Sequence, residues 1–212
     1  QLAEMILSHA VHPVRISYKD ELNEATFSGL QDILDQHGLK LESMKTVKPW
    51  YLAQLISLYE MRRLGVGPEN GIDRHFLQHG KPRDEVIELE GLENQLALFD
   101  GLSLEEQMRL LACTVRDMTN LEAVMSDLVR VWSEGAESEL AVLLRNYMDS
   151  CPGLKKLFSL VFSNRNRGMF RRISECLATE RNCFIVVGAG HLVGGDGLLV
   201  MLRDAGYHVE QV

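Results

Sequence analysis

The chain of 212 residues carries a net charge of −8 at pH 7, and 46% of its residues are hydrophobic. This composition is typical of a folded protein with a buried core, and we predict a single domain over residues 1–212. Because phosphate recognition needs clustered Lys and Arg, and the main basic cluster is RNRGMFRR at residues 165–172, we expect no nucleic-acid partner.

The ends of the chain and its apolar runs bear on targeting. No apolar run approaches the roughly 20 residues that span a bilayer, and no secretory signal opens the chain. The sequence starts with QLAEMILSHA rather than with Met, so we expect a mature or truncated form. Membrane association would then have to come from a missing segment.

The four cysteines, Cys113, Cys151, Cys176 and Cys183, include no CxxC pair and are too sparse for a disulfide framework. This pattern supports neither a zinc ribbon nor a disulfide scaffold. We expect buried free thiols, because free Cys is among the residue types most often found buried.

Apolar residues recur at helical spacing through most of the chain, which predicts a helix-rich protein. EATFSGLQDILDQHG, residues 24–38, places Leu30 and Leu34 on one stripe and ends at a glycine. KPWYLAQLISLYEMRRLG, residues 48–65, repeats this pattern and also ends at a glycine. Two amphipathic helices are therefore expected in the first third of the chain.

Two histidines follow in GIDRHFLQH, residues 71–79, where His75 and His79 lie four residues apart on a predicted helix. That spacing suits a shared metal, yet the segment lacks the Glu of an HExxH motif. The preferred interpretation is structural, with Asp73 at the start of the helix.

Further helices are expected in the middle of the chain. Ser103 and Glu106 form a capping-box pattern that predicts a helix to about Arg116, and three more helices are expected between residues 121 and 178. The apolar stripe of LEAVMSDLVRVW, residues 121–132, is interpreted as core. Dimerisation through this stripe, giving a homo-oligomer, is the alternative.

Three short segments have the composition of strands. They are EVIEL at residues 85–89, which follows the turn-forming GKPRD, FIVV at residues 184–187, and YHVEQV at residues 207–212. The last two flank a predicted helix at residues 197–205, which indicates a C-terminal βαβ unit. The predicted fold class is α/β, helix-rich, with a small mixed β-sheet and surrounding helices.

The sequence GAGH, residues 188–191, lies directly after the FIVV segment, where α/β proteins bind ligands. Gly188 and Gly190 allow a sharp turn with uncovered amides, and His191 could bind a metal or move a proton. Two alternatives remain: His191 could merely fill a turn, or the glycines together with Gly194 could form a dinucleotide loop. The spacing is GxGxxxG rather than GxGxxG, and we expect no nucleotide.

The segment GAGHLVGGDGLLVMLRDAGYHVEQV resembles the C-terminal signature of the TraB/GumN family, which includes PrgY-type pheromone-shutdown proteins and the Tiki proteases of animals. Four other segments agree with this family in the same order, so the resemblance covers nearly the whole chain. They are KPW at residues 48–50, GIDRHF at 71–76, IELEGLENQLALFDGLSLEEQ at 87–107 and RNRGM at 165–169.

The resemblance implies a metal-dependent hydrolase of the peptidase type that uses a divalent ion such as Mn, Co or Zn. It also suggests a periplasmic or membrane-associated location. The family's pattern has two GxxH motifs, of which residues 188–191 match the second, and this sequence has no first one. We therefore expect an incomplete metal site in this chain and leave open whether the chain alone is an enzyme.

Carried over by position, the resemblance implies metal-ligand roles for His191 and Glu90, and catalytic roles for these two and for Arg165 and Asn166. Glu90 would bind a cation or activate water, and Arg165 would stabilise an oxyanion or the carboxylates of the site. Arg165 as an ordinary surface charge is the structural alternative. The rival function is a non-catalytic module that binds a peptide or pheromone; in both cases the partner is a peptide or small molecule.

Overall fold

The computed structural model of the chain describes residues 2–80, 85–151, 153–179 and 182–212. Residues 81–84, which form most of the predicted GKPRD turn, lie outside these ranges. Over the described residues the protein is 69% helical and has no β-strand. The protein is therefore built from helices and the loops that join them.

The α-helices, in chain order, are α1 (Leu2–Ala10), α2 (Tyr18–Glu21), α3 (Glu24–Gln36), α4 (Pro49–Arg63), α5 (Ile72–His79), α6 (Leu92–Asp100), α7 (Leu104–Met118), α8 (Leu121–Ser133), α9 (Glu137–Ser150), α10 (Lys155–Phe158), α11 (Arg165–Leu177) and α12 (Leu198–Asp204). A π-helix at Ser159–Asn164 leads directly into α11. Short 3₁₀ helices lie at Leu41–Met44, Pro68–Asn70 and Ala189–His191.

The chain forms two compact units, each with its own core. The first unit comprises Gln1–Asn70 and Leu92–Val124, and the second comprises Gly71–Gly91 and Met125–Val212. This division concerns packing only, and a single domain over residues 1–212 stays a prediction.

The core of the first unit is formed where α3, α4 and α7 pack together. Leu30, Leu52 and Leu111 have no exposed surface at its centre. The predicted ends of α3 and α4 are confirmed, since the glycines that follow them, Gly38 and Gly65, have φ angles of 69° and 78°. The predicted capping box at the start of α7 is also present, with Ser103 and Glu106 each accepting from the other's backbone amide.

A smaller cluster in the same unit explains the KPW motif. Trp50 packs with Ala10 of α1 and Leu96 of α6, while Lys48 forms an ion pair with Asp100, which also contacts His9 Nδ1 at 3.1 Å. These residues hold α1, α4 and α6 together. The KPW motif therefore has a structural role in this unit.

The core of the second unit lies between α11 and α12. Met169 and Ile173 of α11 are buried against Leu198 of α12. Leu89 and Val187, the last apolar residues of two of the predicted strands, pack against the same cluster. The residues that follow them, from Glu90 and from Gly188 onward, are thereby held beside α11.

The predicted mixed sheet and C-terminal βαβ unit are wrong for the described residues. Residues 85–89, 184–188 and 207–212 have no assigned secondary structure, and the β-bridge found in the described part of the chain is an isolated one between Val11 and Val47. A strand needs a hydrogen-bonded neighbour, and β-rich composition does not supply one. Phe184 and Val86 remain largely exposed as a result.

The expectation of free thiols is also wrong. Cys176, in the last turn of α11, is bonded to Cys183, seven residues later, and Cys113 and Cys151 are disulfide-bonded as well. None of the four cysteines is free. Spacing in sequence could not reveal this pairing, because it depends on the distance between thiols in the folded chain.

The apolar stripe on α8, expected to be core, is buried only in part. Val129 and Trp132 are about half exposed, and Val131 is the residue of this helix that is fully buried.

Within the described ranges, no helix combines the length and apolar character that crossing a membrane requires.

The core of the first unit gives a direct stability test. We expect Leu111→Ala to lower the free energy of unfolding by about 2–5 kcal/mol, because the fully buried side chain leaves a cavity among α3, α4 and α7. Leu104→Ala, at an exposed position of the same helix, should change it by less than about 1 kcal/mol. Urea denaturation followed by circular dichroism measures both, and equal losses would contradict the assigned core.

Candidate functional site

An ion pair between Glu90 and Arg165 lies beside the GAGH loop in the second unit. Arg165 Nε is 2.9 Å from both carboxylate oxygens of Glu90, and its Nη2 is 2.7 Å from Oε2. The two side chains are only 21% and 16% exposed. This bidentate geometry fixes both side chains and leaves the site with no net charge from the pair.

A second contact at the site fixes the imidazole of His191. Its Nδ1 lies 2.7 Å from Asn166 Oδ1, and Asn166 Nδ2 donates to the backbone carbonyl oxygen of Asp196 at 2.6 Å. Because an amide oxygen only accepts, Nδ1 carries the proton and donates it. The lone pair of neutral His191 is therefore on Nε2, where it can accept a proton.

The charge state of His191 is set by its surroundings. Burial lowers the pKa of His191, the positive charge of Arg165 lowers it further, and the carboxylate of Glu90 acts in the opposite direction. The net result is a pKa below the usual value for histidine. His191 is therefore neutral at pH 7, as a proton acceptor must be.

The four residues predicted at the site thus lie in two neighbouring contacts on α11 and the loops beside it. Glu90 pairs with Arg165, and Asn166 pairs with His191. Arg165 is not the freely solvated charge of the structural alternative, because its guanidinium is held by Glu90. Glu88, by contrast, is exposed. That the four residues are functional stays a prediction.

The GAGH loop is tightly packed at Gly190. A Cβ atom on Gly190 would lie 3.2 Å from Phe162 Cε1 and 3.5 Å from Leu144 Cδ1. Gly197, a few residues on, is more restricted still, since a Cβ there would lie 2.4 Å from the carbonyl oxygen of Leu192. Close packing accounts for these two glycines, and whether Gly188 and Gly190 bind a ligand stays a prediction.

Sequence patterns alone did not identify three residues around His191. Phe162, in the π-helix, has its ring centroid 5.4 Å from that of His191. Ser163, in the same π-helix, donates to Asp196 Oδ2 at 2.7 Å, and Asp196 supplies the carbonyl that orients Asn166. A π-helix is rare and is often found at functional sites, but it leaves no simple pattern in a sequence.

The histidines of GIDRHFLQH, His75 and His79, lie on α5. The rings of His75 and His79 stack with centroids 4.2 Å apart, and His79 Nδ1 lies 2.8 Å from the carbonyl oxygen of His75. Asp73 lies in the first turn of α5, as the structural interpretation predicted. These contacts describe an exposed helix surface.

A metal site was expected at His191 and Glu90. Over the ranges that the structure describes, no group of three or more His, Cys, Asp or Glu residues could hold a metal ion. Both oxygens of Glu90 already accept from Arg165, so this carboxylate would have to leave its ion pair to bind a cation. The described residues therefore do not fit a metal site by themselves.

Comparison with known proteins finds a family whose sequences resemble this chain. The model of the TraB/PrgY/gumN family matches residues 2–211. The chain is similar to "Uncharacterized protein YbaP" of Escherichia coli strain K12, with 26% identity over 192 residues that cover 90% of this chain and 70% of that protein. The same values hold for the protein of that name from Shigella flexneri. No solved structure gives a significant match.

The opposing effects of Arg165 and Glu90 on His191 can be separated by substitution. We expect Arg165→Met to raise the pKa of His191 and Glu90→Gln to lower it, because each variant removes one of the two charges. NMR titration of the His191 ring measures both shifts. Arg167→Met, at an exposed position two residues after Arg165 on α11, is the control and should leave the pKa unchanged. Shifts in the same direction for the two site variants would contradict the assigned geometry.

Proposed function

Because the chain belongs to the TraB/PrgY/gumN family, we propose that it serves in the hydrolysis of peptide or amide bonds, with His191 as the proton acceptor. The observation that carries this proposal is the fixed protonation of the imidazole. Its Nδ1 donates to Asn166, so Nε2 keeps its lone pair.

In the proposed reaction, His191 Nε2 takes a proton from water while the water oxygen attacks the carbonyl carbon. The carbon–nitrogen bond of the substrate then breaks, and the proton passes from His191 to the departing amine. Asn166 keeps the imidazole in the required orientation and tautomer throughout. It is therefore a positioning residue in this scheme.

Arg165 has a second capacity in the same scheme. Its Nε and Nη2 bind Glu90, while its Nη1 makes no hydrogen bond within the part of the chain that the structure describes. The Nη1 group therefore remains able to donate to the oxygen that becomes negative as water attacks. Glu90 would hold the guanidinium in place for this purpose.

A divalent metal is implied by the family resemblance and would supply further polarisation of the carbonyl or of the attacking water. His191 and Glu90 do not make a metal site by themselves, as shown by the engagement of Glu90 with Arg165. The proposed steps therefore use only residues of this chain.

Binding without turnover is the second candidate function. It is supported by a cavity of about 300 Å³ in the second unit, where Phe76, Phe184 and Leu198 contribute to an apolar lining. Cavities of this size and character are suited to holding a small apolar group. Such a protein would bind a peptide or pheromone and leave it intact.

We expect His191→Ala to lower peptide hydrolysis by about 10²–10⁴-fold, the usual contribution of a general base. His208→Ala, at an exposed histidine of the same unit, is the control and should leave the rate unchanged. Cleavage of a fluorogenic peptide library is the measurement, with Mn²⁺, Co²⁺, Zn²⁺ or a chelator added in parallel. Hydrolysis that persists in His191→Ala would contradict the proposal, whereas peptide binding without cleavage would favour the second function.

We also propose a location outside the reducing cytoplasm, such as the periplasm. The supporting observation is that all four cysteines are disulfide-bonded, a state typical of oxidising compartments. In cell extracts prepared under acid, we expect a maleimide reagent to label the cysteines only after reduction. Labelling of four thiols before reduction would contradict this location.

A further inference from the structure

A second apolar cavity lies on the side of the GAGH loop formed by α8 and α9, and we call it the α8–α9 cavity. Its volume is about 260 Å³. The residues used below line it from three elements of the second unit: Val129 and Trp132 from α8, Leu140 and Leu144 from α9, and Ala189 and Gly190 from the loop.

The α8–α9 cavity and His191 share a wall. Ala189 and Gly190 line the cavity and directly precede His191 in the 3₁₀ helix Ala189–His191. Phe162 lies against the position that a Gly190 Cβ would occupy, at 3.2 Å, and its ring centroid is 5.4 Å from that of His191. A group that fills the cavity would therefore contact the two residues that directly precede His191.

The chemistry of the lining restricts what the cavity accepts. Among the residues that the structure describes, the side chains that line it are all apolar and none is charged. A charged group placed there would lose its hydration without gaining a partner. An apolar group would instead gain free energy in proportion to the surface that it buries.

The size of the cavity restricts the occupant further. At about 260 Å³ it lies below the roughly 300–1,000 Å³ of pockets that enclose a drug-sized ligand. One bulky side chain fits this space better than a whole small molecule does. Leu140 is buried at 8% exposure, while Val129 and Trp132 are 53% and 54% exposed, so the cavity opens to solvent past α8.

We propose that the α8–α9 cavity is a subsite for one bulky apolar side chain of a peptide, such as Leu, Phe or Trp, next to the bond presented to His191. This inference rests on the proposed function and deepens it, because it names the class of peptide that the site selects. The exposed Trp132 lines this subsite and would contact the bound side chain, and tryptophan is enriched among the residues that dominate binding.

The fluorescence of Trp132 provides the test. The other tryptophan, Trp50, is 2% exposed, so iodide in solution quenches mainly Trp132. Capped tetrapeptides of the form Ac-Ala-Xaa-Ala-Ala-NH₂, with Xaa as Leu, Phe, Ala or Asp, are titrated against the His191→Ala protein, in which cleavage does not interfere. We expect the Leu and Phe peptides to protect Trp132 from iodide at least ten-fold more effectively than the Ala and Asp peptides.

A matched pair of variants locates the effect. Val129→Glu places a charge at the mouth of the cavity and should weaken binding of the Phe peptide at least ten-fold. Val142→Glu places the same charge on α9 at a position of similar exposure that does not line the cavity, 48% against 53%, and should leave binding unchanged. Circular dichroism checks that both variants remain folded.

Several outcomes would overturn the subsite. One is equal protection of Trp132 by the Ala and Phe peptides, and another is an equal loss of Phe-peptide binding in Val129→Glu and Val142→Glu. A third is protection of Trp132 that rises with protein concentration in the absence of peptide, which sedimentation would attribute to a second copy of the chain. The failure of the proposed function has a different signature. Selective binding without cleavage by the unmodified protein would retain the subsite and reject hydrolysis, whereas cleavage without preference for Leu or Phe would do the reverse.

Discussion

The side chain of Asn166 is the link on which the candidate site depends. It is 2% exposed and must satisfy both ends of its amide inside the protein. It does so by accepting from His191 Nδ1 and donating to the carbonyl oxygen of Asp196. These two contacts join α11 to both sides of the turn that follows the GAGH loop. A buried amide left without either partner would cost roughly 1–3 kcal/mol, so the positions of the loop, the imidazole and the helix are coupled.

The Glu90–Arg165 pair places two opposite charges near the neutral imidazole of His191. Alone, Glu90 would favour the imidazolium form, and Arg165 alone would oppose it. Together they largely offset each other, so burial becomes the main cause of the lowered pKa. The pair is only partly buried, and its two side chains satisfy each other through three contacts shorter than 3 Å. Such an arrangement holds a guanidinium at the site with a smaller desolvation cost than an unpaired charge would carry.

The sequence predicted the helices better than it predicted how they are arranged, and the functional roles of the site residues stay predictions. Helix ends at Gly38 and Gly65, and the capping box at Ser103, depend on neighbouring residues and could therefore be read directly. The sheet could not, because a strand requires a distant partner. Glu90 and His191 nevertheless lie near α11, because the apolar residues shortly before them, Leu89 and Val187, pack on the same core. The choice of these site residues came from the family resemblance, and it is apolar packing rather than a sheet that holds them beside α11. The roles of Asp196 and Phe162 were not predictable, since Asp196 acts through its backbone carbonyl oxygen and Phe162 is positioned by the π-helix.

Separation of polar and apolar surfaces around the GAGH loop connects the fold to the proposed chemistry. On one side, Asn166 and the carbonyl of Asp196 set the tautomer of His191. On the other, Ala189 and Gly190 face a cavity whose lining, over the described part of the chain, is apolar and uncharged. A side chain at Gly190 would press on Phe162 and Leu144, so the absence of one keeps the wall between the two surfaces thin. With the proposed subsite, a histidine among glycines has a physical reason: the small residues bring the cavity close to the imidazole, and the buried amide of Asn166 keeps the imidazole fixed.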